Sequence, residues 1–435
     1  MSFPRYPEYK DSGVEWLGEV PTHWRVLPTK RGFTRLKELN TGMTCENRLA
    51  LTMAGVVPRS LDDLEGLQAS EFESYQIFEP NDLAFKLIDL QNIKTSRVGL
   101  VPELGIMSPA YIRLEPHPSV VNPKFAYWFF TDLYNRLIFN QLGGGVRQTI
   151  GHEELLTLAF LFVPLSEQRA VAAFLDRETA KIDALVAEQE WLIELLKEKR
   201  QAVISHAVTK GLDPTVPMKD SGIEWLGEVP AHWEVRRLRH VVPEITVGIV
   251  VEPSKYYTDE GIPALRSLNV KPGRIIQENL VFISQDGHAL HTKSRLRTGD
   301  LVAVRSGQPG TTAVIPPELH GANCIDLIII RKPLHGSERY LSWYMASDVA
   351  IRQFTEGSGG AIQQHFNVGT ATNMIVALPP EDEQLGIANF LDQEALMFDA
   401  LIDEAQHAID LLKERRGALI SAAVTGKIDV RDQHG

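Results

Sequence analysis

Cysteine is almost absent from the 435-residue chain, with Cys45 and Cys324 the only two. That excludes a disulfide framework and a cysteine-built zinc site, and it points to a reducing compartment. The thirteen histidines show no HExxH or comparable spacing that would set ligands on one face, so no metal is expected. No apolar run approaches the roughly 20 residues of a membrane span, and the opening MSFPRYPEYK has no apolar core segment. A soluble, cytoplasmic protein with no membrane partner is expected. Positive charge is also in deficit: 44 Lys and Arg stand against 56 Asp and Glu, a net charge of −12. A broad basic face that binds nucleic acid unaided is therefore disfavoured. Catalytic signatures are missing too. There is no GxxxxGK[ST] phosphate loop, no convincing strand–GxG–helix unit for S-adenosylmethionine, and no NPPY or DPPY segment to grip an extruded adenine. GGGVRQTIG and GSGGAIQQH read as backbone turns. The chain is expected to hold no cofactor and to run no reaction alone.

What is present is a repeat. KDSGVEWLGEVPTHWRV begins at Lys10 and KDSGIEWLGEVPAHWEV begins at Lys219, and the two differ at three of seventeen positions. A second pair of segments follows, PLSEQRAVAAFLDRETAKIDALV from Pro164 and PPEDEQLGIANFLDQEALMFDALI from Pro379. At a constant offset of 216 they align Gln168 with Gln384, Asp176 with Asp392, Asp183 with Asp399 and Ser205 with Ser421. Motif, variable region and helical segment thus occur twice in the same order, a tandem duplication of one unit.

Both helical segments carry a heptad seam. In the first, Ile182, Leu185, Gln189, Leu192, Leu196, Lys199, Val203 and His206 alternate three and four apart. Phe398, Leu401, Ala405, Ala408, Leu412, Arg415, Leu419 and Ala422 repeat the spacing in the second. Pro380 and the acids after it suit a helix start, and Gly211 and Gly426 suit helix ends. A helix from Glu167 to Thr209 would span roughly 60 Å at 1.5 Å per residue. The two seams are expected to pair. Equivalent halves packed through equivalent surfaces are related by a pseudo-two-fold axis, which makes the helices antiparallel. The opening motif should then lie beside the end of the second helix, bringing the termini together in a quasi-circular fold. Trp16, Trp24, Trp225 and Trp233 read as anchors seating each variable region on a helix end. His23 and His232 read as their hydrogen-bonded partners, not as catalysts.

Between the repeats, DLAFKLI, VGLVP, DLVAVR and CIDLIII read as strands, and FAYWFFTDLYNRLIFN and RYLSWYMASDVAIRQF as helices. The expected class is α+β: two mixed α/β domains joined by two long antiparallel coiled-coil helices. The boundaries read from the repeat are 1–163 for the first domain, 164–210 for the central helix, 211–378 for the second domain, 379–426 for the distal helix and 427–435 for a tail.

The double layout, the PLSEQ and PPEDEQ approaches to each helix, the LLKEKR and LLKERR helices and the KDSGxEWLGEVPxHW openings closely resemble the specificity (S) subunit of type I restriction-modification systems. The resemblance covers nearly the whole length. It implies two target recognition domains, each reading one half of a split sequence in double-stranded DNA, with the helices as spacer. It implies a non-catalytic subunit that binds two methyltransferase (M) subunits and, in the restricting complex, two restriction (R) subunits. Methylation would be at adenine N6, with S-adenosylmethionine held by the methyltransferase. Half-sites one helical turn apart are roughly 34–36 Å from each other, within reach of such rods. A coiled-coil scaffold gripping proteins instead of DNA is the alternative reading, and a self-sufficient enzyme a second.

The charge balance varies along the chain. Residues 1–163 carry 16 Lys and Arg against 19 acids, and 211–378 carry 16 against 17, but 236–297 carries 10 against 6. That last stretch, with Arg236, Arg237, Arg239, Lys271, Arg274, Lys293, Arg295 and Arg297, is a candidate phosphate-facing strip, and partner subunits are expected to supply much of the grip on DNA. Base readers in the major groove are chosen by residue type, Arg or Lys for guanine and Asn or Gln for adenine. In the first domain the candidates are Lys86, Gln91, Asn92, Lys94, Arg97, Arg147 and Gln148. In the second they are Asn269, Lys271, Arg274, Arg305, Gln308, Gln363 and Gln364. Gln148 and Gln364 occupy equivalent positions, which favours a structural or phosphate-contacting role for both.

Overall fold

The two copies of the opening motif fold identically. Tyr9–Asp11 pairs antiparallel with Glu19–Pro21, and Met218–Asp220 with Glu228–Pro230. Asp11 and Asp220 accept from the amides of Gly13 and Gly222, Asx turns in which the glycines supply the positive φ at no steric cost. The computed structural model describes residues 3–53, 55–63, 71–90, 98–142, 149–307, 310–356 and 366–432. It forms two units, one of residues 1–189 with 407–435 and the other of 190–406. These units cut across the long helices, Leu165–Lys210 and Glu381–Val424, so each helix gives one part of itself to each unit. At 1.5 Å per residue the helices are about 69 and 66 Å long.

The first unit has a four-stranded antiparallel sheet in the order Phe33–Leu36, Ile112–Pro116, Leu83–Phe85, Val98–Leu100. The second unit has a sheet of equivalent order, Ile245–Val247, Leu327–Ile330, Leu301–Val304, Thr312–Val314. The segments expected as strands supply four of these eight strands, Leu83–Phe85, Val98–Leu100, Leu301–Val304 and Leu327–Ile330. The expected helical patches become Pro123–Asn135 with Ile138–Leu142 in the first unit, and Glu338–Met345 with Asp348–Glu356 in the second.

The likeness extends to a buried ion pair in each sheet. Asp82 and Asp300 each precede a central strand, and Arg113 and Arg331 each lie 31 residues later, on or just past its neighbour. Arg113 Nε stands 2.6 Å from Asp82 and Arg331 Nη1 stands 2.6 Å from Asp300. The amide of Glu79 donates to Asp82, and those of Arg297 and Lys332 donate to Asp300. Both carboxylates thus close the turn that starts the strand, Glu79–Asp82 or Arg297–Asp300, with Asn81 and Gly299 at positive φ. Burial pushes the Asp82 carboxyl up from its ordinary range, opposed by the Glu79 amide and the Arg113 guanidinium.

In the first unit Val171, Ala172, Phe174 and Leu175 of the first long helix share a core with Ile420, Ala423 and Val424 of the second. In the second unit Ile204, Ala207 and Val208 share a core with Ile387, Ala388 and Leu391. The start of one helix meets the end of the other in each unit, so they run antiparallel. The first unit also brings the chain ends together: Asp429 N donates to Pro4 O (2.8 Å) and Tyr9 OH donates to Gly426 O (2.9 Å). Gly211 and Gly426 end the long helices at φ of 78° and 73°. A Cβ on Gly426 would stand 2.5 Å from Pro21 of the opening hairpin.

The seam keeps every other expected position and moves the alternate ones by one residue. Ile182, Phe398 and Ala405 are buried, and Leu196, Val203, Ala408, Leu412 and Leu419 are half-buried. Leu185, Leu192 and Leu401 are exposed, at 45%, 39% and 40%. Their neighbours Val186, Ile193 and Ile402 turn inward instead, with Ile193 8% exposed. The same shift appears at Ile409, Arg416 and Ala423 in place of Ala408, Arg415 and Ala422. The sequence offers two adjacent apolar rows, and the one with the β-branched residues faces in.

Candidate nucleic-acid interface

Each globular region is seated on a helix by one carboxylate. Glu167, in the first turn of the first long helix, takes Trp24 Nε1 at 3.0 Å on one oxygen and lies 2.8 Å from His23 Nε2 through the other. Glu383, its equivalent, takes Trp233 Nε1 at 3.0 Å and lies 2.7 Å from His232 Nε2. Trp24 and Trp233 are fully buried, whereas Trp16 and Trp225 are half-buried. The histidines accordingly share the carboxylate with the anchoring indoles and do not bond them. In the first unit Tyr6 OH also donates to Glu167 (3.2 Å), and burial, with the Glu167 charge next, pushes that hydroxyl's pKa up, keeping it a donor. The next residue, Gln168, ties the helix to the amide of Asn122, as Gln384 ties its helix to that of Ser337. Trp128 and Trp343 donate to Asp176 and Asp392.

On these seats the two units hold loop bases of identical construction. In the first, the amide of Ile150 donates to Leu87 O at 3.0 Å; in the second, that of Phe366 donates to Arg305 O at 3.0 Å. Each bond joins the exit of a central strand to the chain returning toward a long helix. Asn140 Nδ2 fixes the first loop again at Leu90 O (2.6 Å). In the second, Gly310 fits against Phe354, whose ring would lie 1.9 Å from an added Cβ, and Phe354 packs on Phe366 at 4.5 Å.

The sequence-predicted readers divide accordingly. Gln91, Asn92, Lys94, Arg97, Arg147, Gln148, Gln308, Gln363 and Gln364 lie outside the described residues. Lys86, at the first base, is half-buried. Arg305, at the second, is paired with Asp326. Lys271 and Arg274 face each other across a short hairpin and are exposed, and the hairpin's Gly273 amide bonds Thr312 O at 3.0 Å. Asn269 is a correction. It is fully buried, its Oδ1 accepts from Arg266 N, and its amide donates to Ile276 O and Glu278 O. Its hydrogen-bonding capacity is spent on shaping that hairpin, leaving no edge for a base.

The basic stretch 236–297 is also partly spent internally. Arg236 pairs with Glu234 at 2.7 Å, Arg237 and Arg239 reach Asn373 Oδ1, and Arg295 bonds His288 O. The sequence reading missed its counterpart in the first unit. Arg25, Lys30, Arg31, Arg35 and Lys37 are all exposed, within a thirteen-residue run, 25–37, that contains no acid. A count over 1–163 dilutes that run to below neutrality; a short window shows it.

Comparison with known proteins follows the same layout. The EcoKI specificity subunit of Escherichia coli is 22% identical over 434 residues, 94% of this chain and 90% of that protein. The MjaVIII specificity subunit of Methanocaldococcus jannaschii is 22% identical over 343 residues, 75% of each chain. No family model matches. By sequence the chain is similar to type I specificity subunits over most of its length. A solved structure described as the structural basis of complex assembly and conformational transition of the type I R-M system matches this chain with a TM-score of 0.70. It is 16% identical and covers 93% of this chain and 98% of that one, a likeness that speaks for the fold alone. Among the described residues, no group of His, Cys, Asp and Glu could hold a metal ion, and no helix is long and apolar enough to cross a membrane.

Proposed function

We propose that the chain is the DNA-sequence-specificity subunit of a type I restriction-modification complex, a non-catalytic recognition component. The observation that carries this reading is the duplication of one loop base, Leu87 with Ile150 and Arg305 with Phe366, on a chain similar to specificity subunits along 94% of its length. The scaffold around the two bases is the same, whereas the segments that leave them differ. Lys86–Arg97 and Arg147–Gln148 have little in common with Arg305–Gln308 and Gln363–Gln364 beyond the shared glutamine. One framework presenting two dissimilar surfaces suits an asymmetric bipartite target, one half-site per domain.

On this reading the chain assembles with methyltransferase and restriction subunits and binds double-stranded DNA, two copies of each partner matching its two halves. S-adenosylmethionine and adenine-N6 transfer belong to the methyltransferase. The test is a gel-shift series on randomised bipartite duplexes with the methyltransferase partner present. Two specified half-sites of different sequence, separated by an indifferent gap, are expected. A complex that binds without sequence preference would leave the scaffold reading in its place.

A further inference from the structure

We infer that the edge strand Phe33–Leu36 and the 3-10 turn before it, Thr29–Arg31, are a phosphate clamp for the first domain, with no equivalent working clamp in the second. The inference rests on the DNA-reading function proposed above and adds the residues and the asymmetry.

Residues 25–37 hold five cations and no acid in a chain of net charge −12. All five are exposed, and among the described residues none of their side chains has a hydrogen-bond or ion-pair partner. The nearby acids are otherwise placed. Glu38 leans toward Arg113 at 3.8 Å, and Glu115 stands across the strand pair from Thr34. Arg35 lies on this edge strand and Lys37 one residue past its end. Both line one cleft of about 250 Å³, together with Leu87 and Ile150, the two residues of the loop base. Cations that position a duplex beside the loops that read it would occupy such a wall.

The corresponding run of the second domain follows the other copy of the motif at the same offset of 209. There Glu234 replaces Arg25 and pairs with Arg236, while Arg237 and Arg239 share Asn373. At that offset Arg35 and Lys37 become Glu244 and Thr246, and of the five cation positions only that of Lys30 keeps a lysine or arginine, Arg239. The backbone grip is therefore unequal.

Charge on an edge strand also guards against edge-to-edge pairing, so the experiment must separate the two roles. Binding of the chain with its methyltransferase partner is measured against salt for a cognate and a scrambled duplex. Arg35→Gln with Lys37→Gln is expected to weaken both duplexes by the same factor and to flatten the salt dependence by about 0.9 per lost phosphate contact. Lys30→Gln with Arg31→Gln should do likewise, and Arg35→Lys with Lys37→Arg should restore binding. Arg236→Gln with Arg237→Gln should change the slope little. Unchanged binding with increased aggregation would overturn the clamp in favour of edge protection. Loss confined to the cognate duplex would overturn it in favour of base reading. If the unsubstituted complex shows no sequence preference but the variants still lose salt-dependent affinity, the function falls while the clamp stands.

Discussion

Glu167 shows how one side chain connects sequence repeat to domain placement. It is buried and accepts from Trp24 and Tyr6 while lying beside His23. Glu167→Ala leaves a buried indole N–H without an acceptor, a loss on the order of 1–3 kcal/mol that chemical denaturation of the chain would measure. Glu383→Ala should cost less, because Glu383 is half-exposed and takes no tyrosine hydroxyl. An equal loss from both would show that the seat does not depend on the extra partner. Asp82→Ala strands the buried Arg113 guanidinium and should cost about 3–5 kcal/mol, the usual penalty for breaking a buried pair from one side. Substitution of both by apolar residues of similar volume should recover much of that. At this scale the repeat made the tryptophans and histidines legible, since the motif copies preserve both. Their shared acceptor was equally visible in PLSEQ and PPEDEQ, but a carboxylate in a first helical turn has a sufficient dipole explanation that conceals a second role. Asn269 was misread for a related reason: asparagine suits a turn as well as an adenine edge, and only burial distinguishes the two.

The long helices carry the same lesson at the scale of elements. Heptad spacing fixed their existence and their partnership, because both seams recur at an offset of 216. It did not fix their rotation, because Leu185 and Val186, Leu192 and Ile193, and Leu401 and Ile402 are adjacent apolar pairs that satisfy the same period. Ion pairs flank the inward row in each unit. In the first, Arg416 forks onto Asp183 at 2.7 and 3.1 Å; in the second, Arg200 meets Asp399 at 2.6 Å. Asp183 is equivalent to Asp399 and Arg200 to Arg416, so each duplicated pair of residues forms one bond per unit. The rotation makes a direct prediction for unfolding of the chain alone. Ile193→Ala should destabilise by about 2–4 kcal/mol as a core truncation, and Leu192→Ala by less than about 1 kcal/mol as a largely exposed one. The reverse order would restore the seam that the heptads first suggest. The sheets were legible only in part. Asp82 and Asp300, like Arg113 and Arg331, lie 218 residues apart, an offset different from those of the motif and helices. Two ion-pair residues do not reveal a shared fold when the strands between them have diverged.

At the scale of the whole molecule, the duplication ties recognition to a separable geometry. Each loop base is built from residues of one unit only, whereas the first long helix passes from one unit to the other between Gln189 and Glu190. Changing what a base presents should therefore alter one half-site. Changing the length of the helix should alter the gap and neither half-site. Insertion of one heptad after Leu192 preserves the inward row in phase, since seven residues return the seam to the same face. Methylated adenines mapped across a genome expressing the variant with its methyltransferase should show both half-sites intact and a longer spacer. Exchange of Lys86–Arg97 for the equivalent segment of another specificity subunit should instead alter the first half-site at constant spacing. A heptad insertion that changed a half-site, or a loop exchange that changed the gap, would mean that reading and spacing are not divided between loops and helices. The two variants together test that division, which follows from where the polar bonds of this chain are made.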